Sequence, residues 1–126
     1  ALQIDDHYFN NPPVTLLGLK KQLGEKELWC SFQPDQWNFS TARACDQSDV
    51  QLYRQSCEKT VYNAYRLGIL GLPEVAISTY HSGDANDDNL VSCISENVKK
   101  YGNPIFVFKW ANNDAFFKRF IAKVAN

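Results

Sequence analysis

Four cysteines, Cys30, Cys45, Cys57 and Cys93, carry the chemistry that spacing constrains most tightly. No two are separated by only two residues, so the C-x-x-C of a thiol oxidoreductase or a zinc knuckle is missing. Thiol exchange needs a low-pKa thiolate beside a resolving partner. Cys30 follows a strand-like run, but its nearest companion is Cys45, 15 positions on. An even count without that motif reads as two structural disulfides and an oxidising compartment. Three pairings are open. Cys30–Cys45 and Cys57–Cys93 are expected, because the second pair falls on two helices that should pack together. Each bridge would stabilise the fold by about 2–4 kcal/mol.

Other chemistry finds weaker footing. "DANDD" (84–88) opens like a calcium loop, but Asn89 stands where the turn glycine belongs and Ser95 where the bidentate glutamate belongs. A solvated turn that caps a helix is expected instead. His7 and His81 are the two histidines, and a structural zinc site needs four ligands, so neither metal nor cofactor is expected. His81 lies near Ser78, Ser82 and Asp84, but neighbours along one strand and turn rarely form a triad, and G-x-S-x-G is absent. Paired carboxylates for glycoside cleavage could come from Asp5, Asp6, Asp35, Asp46, Asp84 or Asp87, yet nothing in the sequence links any two. Trp29, Phe32, Trp37 and Phe39 crowd the stretch "WCSFQPDQWNF" (29–39). Such residues serve as core anchors and as binding hot spots. Trp37 is the one expected to stand exposed.

The elements that must position these residues belong to a chain of 126 residues, read as one domain over 1–126. Eight Phe, six Tyr and three Trp argue against disorder. A net charge of −1 excludes a duplex-binding surface, which needs concentrated positive charge. No apolar run approaches the ~20 residues that span a bilayer. The first residue is Ala and the chain has no Met, which fits an exported chain that has lost a signal peptide. One sequon, Asn38-Phe39-Ser40, matters only in a glycosylating host.

Residues 1–14 read as an irregular arm ending in Pro12-Pro13. Thr15 should cap a helix carrying Leu16, Leu19 and Leu23, stopped by Gly24. "KELWCSF" (26–32) alternates apolar and polar residues, as a half-buried strand does. Residues 33–47 read as a loop or a partly helical connection. Ser48-Asp49-Val50-Gln51 matches a capping box and predicts a long helix with Val50, Tyr53, Cys57, Val61 and Ala64 on its buried stripe, ended by Gly68. "PEVAIST" (73–79) is a strand that starts at Pro73, a position where the missing N–H is tolerated. A polar turn over 82–90 leads into a helix with Leu90, Val91, Ile94, Val98 and Tyr101 inward. "IFVFKW" (105–110) reads as a strand covered on both faces. Phe116, Phe117, Phe120, Ile121 and Val124 predict a closing helix. Strands alternating with helices favour a partly parallel sheet with right-handed crossovers.

"VYNAYRLGILGLPEVAIS" (61–78) resembles a segment of small exported, thioredoxin-like proteins of integrating conjugative elements, relatives of type IV secretion parts. Leu67, Gly68, Ile69, Leu72, Pro73 and Val75 carry the likeness. "FVFKWANNDAFFKRFIAKV" (106–124) is also similar, as a strand, a turn and a closing helix. Residues 80–104 stand as an inserted helix relative to that pattern. The resemblance implies an α/β domain with a thioredoxin-like core, in two or three layers, on a small mixed sheet with flanking helices; the four cysteines are not part of that family pattern, and the disulfides read from them would stabilise the domain. It implies a secreted or periplasmic module without redox activity that binds a protein of a conjugative transfer or type IV secretion apparatus. Leu72, Pro73 and Glu74 would line one contact surface, and Trp37 with Phe39 a second. An exported immunity or inhibitor protein and a thiol-disulfide oxidoreductase are the alternatives.

Overall fold

A computed structural model of the chain describes residues 1–10, 15–53, 55–81 and 87–109, together with Lys118 and Ala122. Five strands form one sheet: β1 Leu2–Ile4, β2 Leu28–Phe32, β3 Gln47–Gln51, β4 Val75–His81 and β5 Ile105–Lys109. They lie in sequence order, β1-β2-β3-β4-β5, and every neighbouring pair is parallel. The small mixed sheet and three strands read from the sequence are corrected to five parallel strands. The helices between them are α1 Leu16–Leu23, α2 Phe39–Ala42, α3 Cys57–Arg66 and α4 Asp87–Lys99. The predicted closing helix and the calcium-like turn at 84–88 fall wholly or partly outside the described residues.

Two strands escaped the sequence reading. The arm at 1–14 contains β1 and a 3-10 turn at Asp6–Asn10. The apparent capping box at Ser48–Gln51 is the body of β3, and the helix begins later, at Cys57. Ser56 caps α3 instead, its hydroxyl accepting from the Lys59 N–H at 3.2 Å. Thr15 caps α1 as expected, accepting from the Gly18 N–H at 3.0 Å.

Strict sequence order with right-handed crossovers sends every connection over the same side of a sheet. The core agrees. Ile4, Leu28, Cys30 and Phe32 of β1 and β2 pack with Leu16 of α1 and Ala42 of α2. Val50, Val75 and Ile77 pack with Ala64 of α3 and with Ile94 and Val98 of α4. All these strand residues share one face by the period-two alternation of a strand. Successive parallel units in this order build the wall of parallel barrels, where helices cover the outside only.

Both expected disulfides are present. Cys30–Cys45 ties β2 to the segment before β3, and Cys57–Cys93 ties α3 to α4.

One side chain, that of Asn103, bonds to the stretch around Pro73 at four backbone groups. Asn103 is 5% exposed. Its amide nitrogen donates to the carbonyls of Ile69 (2.8 Å), Leu72 (3.0 Å) and Val75 (2.9 Å). Its amide oxygen accepts from the Gly71 N–H at 2.6 Å. Gly68 and Gly71 supply positive φ, +72° and +93°, as the chain leaves α3 and turns toward β4. The peptide bond before Pro73 is trans.

Candidate functional site: a carboxylate-lined cleft on the second face of the sheet

Alternation puts the remaining strand side chains on the face away from the helices. The register aligns Gln3 with Trp29 and Gln47, Ser31 with Asp49 and Ala76, and Gln51 with Ser78 and Phe106. Parallel sheets are ordinarily covered by apolar contacts on both faces. Here the second face carries Trp29, Ala76 and Phe106 together with amides, hydroxyls and a carboxylate, and neither core cluster among the described residues draws on it.

A cleft of about 480 Å³ opens on that face, toward the carboxyl ends of β1 and β3. Ligand sites of parallel α/β sheets collect at that end, because loops leaving the strands converge there. Asp5 and Asp6 enter the cleft from the end of β1, Ser31, Asp49 and Gln51 from β2 and β3, and Tyr53 from the residues following β3.

Asp49 is the group with the most altered chemistry. It is 6% exposed. The Ser31 hydroxyl donates to its Oδ2 at 2.9 Å, and Ser78 supplies a second hydrogen bond. Burial dominates over both and pushes its pKa up to about 6. Burial raises the Tyr53 phenol too, and the charges of Asp49 and Asp6 add to that rise. The Tyr53 hydroxyl lies 3.3 Å from Ser78 Oγ.

Asp6 is reached from Asp49 through hydrogen bonds. Gln51 Nε2 donates to Ser31 Oγ at 2.9 Å and approaches Asp6 Oδ1 at 3.5 Å. The turn after β2 fixes Asp6 from the other side. Gln33 Nε2 donates to Asp6 Oδ2 at 2.6 Å, and Gln36 Nε2 to the Asp6 carbonyl at 3.0 Å. Three carboxyl groups thus line one cleft, Asp5, Asp6 and Asp49; Asp49 is buried by the sheet and Asp6 is held by amides.

Of the carboxylates named from sequence, Asp5 and Asp6 reach this cleft. Asp46 instead pairs with Lys20 and accepts from the Leu28 N–H at 2.8 Å. Asp49, the central residue, was missed, as were Ser31, Gln51 and Ser78. The signal was the alternation of Asp49, Gln51 and Tyr53 with Val50 and Leu52, which competed with the capping-box match. No group of three His, Cys, Asp or Glu side chains suited to a metal occurs among the described residues.

The two surfaces expected to meet a partner come together at the opposite end of the sheet. Trp37, Phe39, Leu72 and Glu74 border a depression of about 290 Å³ beside the starts of β3 and β4. Pro73 is exposed next to it. The expectation for Trp37 is corrected: it is only half-buried, packed edge-on against Phe32 with ring centroids 5.5 Å apart. Phe39, 56% exposed, presents more surface. No family model, curated protein or solved structure matches the chain, so no homologue adds to the geometry.

Proposed function

We propose that the cleft on the second face performs acid–base hydrolysis of a neutral, polar substrate. Asp49 carries the reading: a buried carboxyl, raised to about 6, remains largely protonated in mildly acidic solution and can give its proton away. Two carboxyl groups in differing environments are the arrangement that divides acid from base. In the proposed step, Asp49 protonates the leaving oxygen as the scissile bond breaks. Asp6 takes a proton from a water whose oxygen forms the new bond. One water is consumed, and proton exchange with solvent resets both carboxyls. Ser31 and Gln51 fix the separation of the pair, and Tyr53 with Ser78 holds the remaining side of Asp49.

Hydrolysis, followed as new reducing ends or new acid from panels of neutral polysaccharides and esters, should fall as pH rises through about 6. Asp49→Asn should lower the rate by about 10²-fold or more and remove that descending limb. A descending limb unchanged in Asp49→Asn would end the assignment.

A second reading has its own observation, the meeting of Trp37 and Phe39 with Leu72 and Glu74 around one depression. On this reading the chain is an exported, thioredoxin-like binding module whose partner belongs to a conjugative transfer or type IV secretion apparatus. An immunity or inhibitor protein would use the same surface. Neighbouring genes separate these two, a toxin gene favouring inhibition and pilus or coupling genes favouring transfer. The oxidoreductase alternative asks for an accessible thiolate, whereas Cys30 is bonded to Cys45 and 1% exposed.

A further inference from the structure

The second face continues beyond the cleft, and what flanks the cleft points to its ligand. Trp29 and Phe106 lie on this face, 39% and 38% exposed. Phe106 borders the cleft, and Trp29 sits beside Gln3, another of its walls, in the register of β1 and β2. The Trp29 indole is oriented by its N–H, which donates to Glu27 Oε2 at 2.8 Å. Both rings therefore stand open on one surface, with the carboxyl group of Asp49 on β3 between their strands and that of Asp6 beyond β2, after the edge strand β1.

We infer that this face binds a neutral glycan chain, laid across the strands from Trp29 to Phe106. The inference rests on the reading of the cleft as a hydrolytic site and names its substrate class. The face offers what a sugar chain needs: flat rings for the apolar faces of the sugars, and amides and hydroxyls for their O–H groups. Gln3, Gln51 and Tyr53 supply those polar groups within the cleft. The only charged residues lining it among those described are Asp5, Asp6 and Asp49, which disfavours phosphates and other anions. Trp29 on β2 and Phe106 on β5 are three strands apart, roughly 14 Å across the sheet, and four residues apart in register, roughly 13 Å along it, which places them roughly 19 Å from each other. That span fits several linked units and is too long for one monosaccharide.

The test is binding of neutral hexasaccharides of glucose, N-acetylglucosamine, mannose and xylose, with their monosaccharides, to the full chain carrying Asp49→Asn, by calorimetry. At least one hexasaccharide should bind, its monosaccharide at least about 100-fold more weakly. Trp29→Ala and Phe106→Ala should each weaken binding about 10-fold, and Trp29→Phe and Phe106→Tyr should restore it, which separates ring loss from misfolding. Absence of binding to every hexasaccharide, or binding indifferent to both alanine substitutions, overturns the inference. Glycan binding by the unmodified chain with no hydrolysis at any pH keeps this inference and removes the hydrolytic reading. Ester hydrolysis with no glycan affinity does the reverse.

Discussion

Asn103→Leu is expected to lower the unfolding free energy by about 4 kcal/mol, a large share of the ~5–15 kcal/mol typical of a domain. Leucine has similar size but offers no hydrogen bonds. The substitution strands the Val75 carbonyl and the Gly71 N–H, and leaves the Ile69 and Leu72 carbonyls with only their backbone partners, the N–H groups of Leu72 and Val75. Each stranded group costs about 1–3 kcal/mol, less where water can reach it. Asn103→Asp is expected to be no better, because a carboxylate can accept from Gly71 but cannot donate to three carbonyls. Urea denaturation of the three proteins at constant m-value measures both losses. The loop from Gly68 to Val75 enters β4, so its loosening should also spread to Ser78 and hence to Asp49.

Asp49→Asn is expected to act in the opposite direction on stability. The folded-state pKa of Asp49 lies above the ordinary 3.8, at about 6, so the folded chain holds this proton more tightly than the unfolded chain. Stability from that proton is full below the unfolded value and is lost as pH rises through about 6. The loss above that window is about 3 kcal/mol. Asparagine keeps the shape without the charge, so the variant should be more stable than the parent at neutral pH. The difference should vanish near pH 4, as read from urea midpoints at a series of pH values. A gain in stability on removing Asp49, together with loss of the proposed hydrolysis, is the trade expected if the cleft is an active site.

Much of the helix-facing half of the fold was legible in the sequence. The cap at Thr15, the Cys57–Ala64 part of one helix stripe and the Ile94–Val98 part of the other, β4 with its start set two residues early at Pro73, and both disulfide pairings were read correctly. The failures fell at β1 and β3. β1 is three residues long, too short for alternation to register. In β3 a polar residue at every second position, Ser48 excepted, looked like the exposed stripe of a helix. It is the side of a strand turned away from the helices. The meeting of Asp6 and Asp49 at one cleft was illegible for the same reason. Asp6 and Asp49 are joined only through Ser31 and Gln51, and that link exists only once β1, β2 and β3 align in register.

The most direct measurement is the titration of the Asp49 side-chain carboxyl carbon by NMR in the intact, oxidised protein. A midpoint of about 6 is predicted, with Ser31→Ala raising it further because one stabilising hydrogen bond to the ionised form is lost. A midpoint near or below the ordinary carboxylate value of 3.8 would contradict the account, since Asp49 would then be ionised throughout and could not serve as the acid.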